Sequence, residues 1–183
     1  MLGAILKLGE PCQSQFNAGF LTHLYLIRTE HIVYTLAADG MSIDQSSSSI
    51  GIQAGAQISE FRIKPKTATF NETLTENPDG TAYAMSLSFP LKGTAADVTN
   101  WVHRNSKQRF VILTRDTLGN CYLIGSSDNG ARISWTRQVG SQSSHLIALS
   151  LIGWHPALFI PTIDLDEIFP DREFDYSFDL SFS

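Results

Sequence analysis

The sequence predicts a mainly β protein, a sandwich or barrel of about seven to nine strands with one short packed helix, a flexible loop and an extended C-terminal strand. Three observations lead there. The run Glu173-Phe174-Asp175-Tyr176-Ser177-Phe178-Asp179-Leu180-Ser181-Phe182 alternates polar and apolar, so Phe174, Tyr176, Phe178, Leu180 and Phe182 share one strand face. Tyr83, Met85, Leu87, Phe89 and Leu91 alternate in the same way with Ala82, Ala84, Ser86, Ser88 and Pro90. A helical period is clear in one place, where Val98, Trp101 and Val102 follow a Thr94 cap with Asp97 at its third position.

In chain order, residues 21–38 are rich in Leu, Ile, Val, Tyr and Thr and read as one or two strands around Arg28-Thr29-Glu30-His31, with helix as the competing assignment. Residues 42–57 carry Gln45-Ser46-Ser47-Ser48-Ser49 and a small-residue run from Gly51 to Ala56, and read as a long flexible loop or arm. A strand begins at Phe61 and runs to about Leu74, and Asn77-Pro78-Asp79-Gly80 supplies the turn into the alternating strand at 82–91. The helix spans about 95–105. Phe110-Val111-Ile112-Leu113 and Cys121-Tyr122-Leu123-Ile124 form a hairpin of central strands across Asp116-Thr117-Leu118-Gly119-Asn120. Ala131, Ile133 and Trp135 begin a third hairpin that returns from His145 to Trp154, after which Pro156 and Pro161 end regular structure. The small residues facing away from Tyr83 and its neighbours imply close packing or a crowded lumen on that side.

At 183 residues and 43% hydrophobic, the chain has enough apolar side chain for a true core. Residues 1–161 read as a single β domain and 162–183 as an acidic linker with a terminal strand. The net charge of −5 is uneven, because residues 164–183 hold seven acids against the single base Arg172. The rest carries twelve basic and eleven acidic side chains. With no basic cluster, specific duplex recognition is not indicated, since that affinity comes from grouped Lys and Arg on phosphates. No apolar run nears the roughly 18 to 20 residues that span a bilayer, and the N-terminus lacks a basic leader region, so a soluble protein made in the cytoplasm is expected.

The motifs of catalysis are missing. The five histidines show neither HExxH nor close pairing, and Cys12 and Cys121 match no metal-ligand spacing. The plain reading of the cysteines is two buried or semi-buried thiols, with a disulfide left open. Gly-x-Ser-x-Gly, the Walker loop and GxGxxG do not occur. Asp164-x-Asp166-Glu167 opens like a calcium loop but lacks the Gly and distant Glu that would complete it. Trp101-His103-Arg104 and Trp135-Arg137 place bases beside aromatics, a pattern that stacks nucleobases on some sheets but more often marks core tryptophans with surface arginines beside them. No catalytic, metal or cofactor residue is nominated, and no cofactor is expected.

From Phe61 to Leu158 the order of elements is a hairpin, the short helix Gly93-Thr94-Ala95-Ala96-Asp97-Val98-Thr99-Asn100-Trp101, the hairpin Arg109-Phe110-Val111-Ile112-Leu113 with Gly119-Asn120-Cys121-Tyr122-Leu123-Ile124-Gly125, and a last strand pair. This order resembles the tail-tube and related tail proteins of bacteriophages and contractile injection systems, including virion proteins of phages of Bacteroidetes-type bacteria. The resemblance implies a β-sandwich subunit joining a homo-oligomeric ring through sheet edges, with a loop or arm reaching the next ring. It also implies other virion tail proteins as partners, DNA only in non-specific passage, no membrane, and a place in the virion after synthesis in the host bacterium. A tube subunit, a completion protein, an adaptor and a baseplate protein all fit.

The expected subunit contacts are therefore Phe174, Tyr176, Phe178, Leu180 and Phe182 in the terminal strand, and Ser46, Ser47, Ser48, Ser49 and Ile50 in the loop. A bare aromatic strand invites aggregation unless a designated partner covers it, and its alternate Asp residues would keep it soluble until then. Docking its five apolar side chains would contribute about 1.5 to 3 kcal/mol each before ordering costs. The alternative is a monomeric β-barrel or sandwich module for a glycan or small apolar ligand, with the tail folded back and Trp101, Trp135 and Trp154 as first contacts.

Overall fold

A computed structural model describes residues 19–34, 50–53, 55–77, 80–92, 96–140 and 143–160. The chain is mainly β, and its described residues form one α-helix and a nine-stranded antiparallel sheet that is not closed into a barrel. The strands are β1 (Leu21–Arg28), β2 (Ile32–Val33), β3 (Gly51–Ile52), β4 (Ile58–Arg62), β5 (Thr69–Asn77), β6 (Gly80–Lys92), β7 (Arg109–Asp116), β8 (Cys121–Ile124), β9 (Ala131–Gln138), β10 (Ser144–Gly153) and β11 (Leu158–Ile160), with helix α1 (Ala96–Asn105) between β6 and β7.

The large sheet has two limbs. In the first, β4 pairs with β1, β1 with β7, β7 with β8 and β8 with β11. In the second, β9, β10, β6 and β5 lie side by side. The limbs are continuous where the start of β7 also pairs with the start of β9, Arg109 opposite Arg132 and Phe110 opposite Ala131. Strand alternation then assigns each side chain to a face. Leu24 and Leu26 of β1, Phe110 and Ile112 of β7, Met85, Leu87 and Phe89 of β6, and Ile147, Leu149 and Leu151 of β10 form one buried cluster, so the limbs fold toward each other over a shared core.

The opposite face of the first limb is also buried. Tyr25, Ile27, Val111, Leu113, Cys121 and Leu123 pack there with Ile32 and Ile50, beneath the small ribbon in which β2 pairs with β3. Helix α1 joins β4 to β9 along the side of the core. Trp101 donates its indole N–H to Ser59 Oγ at 2.8 Å and meets the Phe61 ring edge-on at 5.1 Å. At another end, residues 154–157 carry the chain from β10 back to the first limb, and Glu72 of β5 accepts the Ala157 N–H at 2.8 Å.

The early strands, the β5–β6 hairpin, α1, the β7–β8 hairpin and the β9–β10 hairpin stand where the sequence predicts them. Three expectations are corrected. The strand expected from Phe61 to Leu74 is two strands in different limbs, because Pro65 breaks it: Lys66 adopts φ 71°, and Thr67 N–H donates to the Lys64 carbonyl. The loop expected over 42–57 contains ordered structure at its end, since Gly51–Ile52 pairs with Ile32–Val33 and Ile50 is only 4% exposed. Regular structure does not stop at Pro156, because β11 follows and pairs with β8. Its Leu158 and Ile160 fill a groove on the second core, and that burial outweighs the break.

Candidate functional site

The second limb leaves its outer face open. Pairing places Thr69, Asn71, Thr73 and Thr75 of β5 beside Ala82, Ala84, Ser86 and Ser88 of β6. Next come Leu146, Ala148, Ser150 and Ile152 of β10, then Arg132, Ser134 and Thr136 of β9. Small hydroxyl and methyl side chains dominate. No carboxylate from the four strands lies on this face, whereas Arg132 and Lys92 do. A trough of about 580 Å³ crosses it, lined by Asn71, Thr73, Ser86, Ser150 and Ile152 and closed at one end by Arg109, Arg132 and Asn129.

The arginines are positioned by a corner at which the chain leaves β8 of the first limb and enters β9 of the second. Gly125 takes φ 93°, where a side chain would be strained. Ser126 and Asn129 exchange backbone hydrogen bonds at 2.9 and 3.2 Å, and the Asn129 side chain donates to the Ile152 carbonyl at 2.7 Å. A Cβ on Gly130 would lie 2.9 Å from the Phe110 nitrogen and 2.3 Å from Thr29 Cγ2. Only glycine lets β9 approach β7 closely enough to pair there. The result sets the exposed residues Arg109 and Arg132 opposite each other, and neither has an acidic partner among the described residues. Like charges directly opposite on a sheet repel, so this end of the trough favours an anionic guest.

A Tyr at the same corner is tuned by its surroundings. Tyr34 donates its hydroxyl to the Gly125 carbonyl at 3.1 Å, and burial, with the Asp128 charge second, pushes its pKa above the usual value of 10.0. In the core beneath the second limb, His145 is fully buried beside Trp135 and Arg137. The Trp135 indole donates to His145 Nδ1, while His145 Nε2 has no partner among the described residues.

Of the residues expected to form subunit contacts, Phe174, Tyr176, Phe178, Leu180, Phe182 and Ser46, Ser47, Ser48 and Ser49 lie outside the described residues. Ile50 packs into the chain's own core beside Ile32 and Val111, which leaves its side chain no surface to offer a neighbour. Trp101 and Trp135 are partly buried and pack against the core, Trp135 with the Arg137 guanidinium 5.8 Å from its ring centre, while Trp154 is 70% exposed. Among the described residues no three His, Cys, Asp or Glu side chains are placed to hold a metal ion, and no helix is long and apolar enough to cross a membrane. Sequence reasoning missed Arg109 and Arg132, because their pairing joins distant strands and leaves no local signal. The bracketing glycines of Gly125-Ser126-Ser127-Asp128-Asn129-Gly130 do mark the corner.

A comparison with known protein families finds no match for the chain, and comparisons with curated proteins and with solved structures find none either.

Proposed function

We propose that this chain is a non-enzymatic structural subunit of the phage-tail type, which joins copies of itself into a ring through the edges of its second limb. The observation that carries the reading is the relation between β5 and β9. Among the described residues, no strand pairs with β5 on the side away from β6, and none pairs with residues 133–138 of β9 on the side away from β10. Four antiparallel strands lie in the order β5, β6, β10, β9, so the two outermost run in opposite directions. Rotation about an axis along the strands would bring β9 of one copy beside β5 of the next in antiparallel register, and repetition closes a ring.

The composition of the edge supports this reading. β5 is nine residues long, its outer face is Thr69, Asn71, Thr73 and Thr75, and it contains neither Lys nor Pro, the usual means of blunting an edge. Leu74 on its other face is 53% exposed. The small side chains of the open face suit the crowded interior of a ring. Virion location, other tail proteins as neighbours and DNA in non-specific passage belong to the same proposal and rest on the resemblance in the order of elements.

The test is sedimentation of the full chain over a range of concentrations, with electron micrographs of any heavy fraction. Rings or stacks are expected. Thr73→Lys with Thr75→Lys places two charges on the exposed edge without touching the core, and should leave a folded monomer. A chain that remains monomeric at every concentration, or rings that persist unchanged in the lysine variant, would overturn the edge-to-edge reading.

A further inference from the structure

We propose that the trough on the outer face of the second limb is the docking site for the chain's own acidic segment, residues 164–183, with carboxylates of that segment held between Arg109 and Arg132. The trough is lined by Arg109 and Arg132, residues that the β7–β9 pairing sets opposite each other, and Lys92 stands on the same face. Among the described residues its walls offer hydroxyl and amide groups from Asn71, Thr73, Ser86 and Ser150 but no carboxylate. A guanidinium pair of this kind binds a carboxylate in a forked geometry and relieves its own repulsion in doing so.

Charge complementarity selects the occupant. Residues 164–183 carry seven of the chain's eighteen acids and a single base, while the rest of the chain is close to neutral. Ile152, 70% exposed, lines the trough, and Trp154, equally exposed, follows it in sequence, so apolar surface adjoins the arginines. The acidic segment is also the part of the sequence in which acids and large apolar side chains are interleaved, at Phe174, Tyr176, Phe178, Leu180 and Phe182. A guest of that composition meets both halves of the site. The inference concerns what fills the trough and does not depend on ring formation through β5 and β9.

The experiment uses the full chain carrying Arg109→Lys and Arg132→Lys. Both positions are exposed, so the fold and the charge are retained while an amine becomes available for zero-length carbodiimide coupling to carboxylates. Peptide mapping is expected to join position 109 or 132 to acids within 164–179, at a yield that falls between about 50 mM and about 500 mM NaCl. An equal mixture of isotopically light and heavy chains then shows whether the segment comes from the same copy or a neighbour, and either origin upholds the proposal. In a second variant, Arg109→Glu with Arg132→Glu, trypsin should cut after Arg172 about tenfold faster than in the parent chain, as a segment released from its site is cut. If neither position couples to 164–179, or if the rate at Arg172 is unchanged, the proposal fails. It also fails if a DNA duplex of about 20 base pairs binds through the two arginines while the coupling is absent, since the anion is then phosphate.

Discussion

The indole N–H of Trp135 donates to Nδ1 of His145 at 3.0 Å, with the two rings 5.6 Å apart and inclined by 28°. An indole nitrogen can only donate, so Nδ1 must be the acceptor and the histidine proton sits on Nε2. Among the described residues that nitrogen is buried without a partner, and the Trp135 bond is the one hydrogen bond the imidazole makes there. Trp135→Phe should lower stability by about 1 to 3 kcal/mol, the cost of a buried acceptor left unpaired. His145→Leu removes the acceptor itself, so Trp135→Phe should cost clearly less in that background. Urea unfolding of the two single variants and the double variant measures the coupling, and equal costs in both backgrounds would mean that the bond contributes nothing.

Gly130 sits where the two limbs join. Its Cβ would meet the Phe110 backbone nitrogen at 2.9 Å, and backbone cannot move aside as a flexible side chain can. Gly130→Ala should therefore destabilise by about 1 to 3 kcal/mol through overpacking, with slower migration or aggregation as the β7–β9 pairing opens. Gly140→Ala, where nothing lies within 4 Å, is the matched control and should be close to neutral. Comparing the thermal midpoints of the two variants checks the assignment.

Asp116 organises the turn between β7 and β8. Its Oδ1 accepts the backbone N–H groups of Leu118 at 2.8 Å and Asn120 at 2.9 Å, and its Oδ2 accepts the Asn120 amide at 2.8 Å. Asp116→Ala leaves all three donors without their acceptor, and should cost at least about 2 kcal/mol. Asp116→Asn keeps an oxygen for the two backbone groups while turning an amide toward the Asn120 amide, so a smaller loss is expected. The order of the two variants in chemical denaturation is the measurement.

Tyr34 links pH to stability. Burial first and the Asp128 charge second raise its pKa in the folded chain above the unfolded value near 10.0. The folded state then holds the phenolic proton after the unfolded state has released it, so the contribution is complete below pH 10 and is lost as pH rises through the folded pKa. Burial raises Tyr122 in the same direction, with Asp116 and then Cys121 adding to it. Unfolding free energy should fall as pH rises past 10.0, and Tyr34→Phe should make that fall shallower while costing its hydrogen bond to Gly125 below that pH.

Much of the fold could be read directly from local pattern. The alternation of Tyr83 to Leu91, the turn residues at 116–120 and the spacing of Val98, Trp101 and Val102 each place an element within a residue or two of where it stands, because strand and helix periods are properties of neighbouring residues. The correction at Pro65 was legible too: a proline within a strand pattern marks a break, and there it divides β4 from β5. Ile50 and Gly51–Ile52 were not legible as ordered structure, since a two-residue strand has no period. They are held by Ile32 and the second core.

The β class, the hairpins, helix α1 and the concentration of acid in the last twenty residues all follow from short-range order and composition. Tertiary structure decided which strands stand at the edges, which face is left open and that Arg109 lies opposite Arg132. Those relations pair residues more than twenty positions apart, and they arise because the two limbs bury one face of the sheet against each other and pivot on Gly125 and Gly130. The second limb buries one face in the shared core and leaves its other face open, and the register of distant strands determines what that face presents.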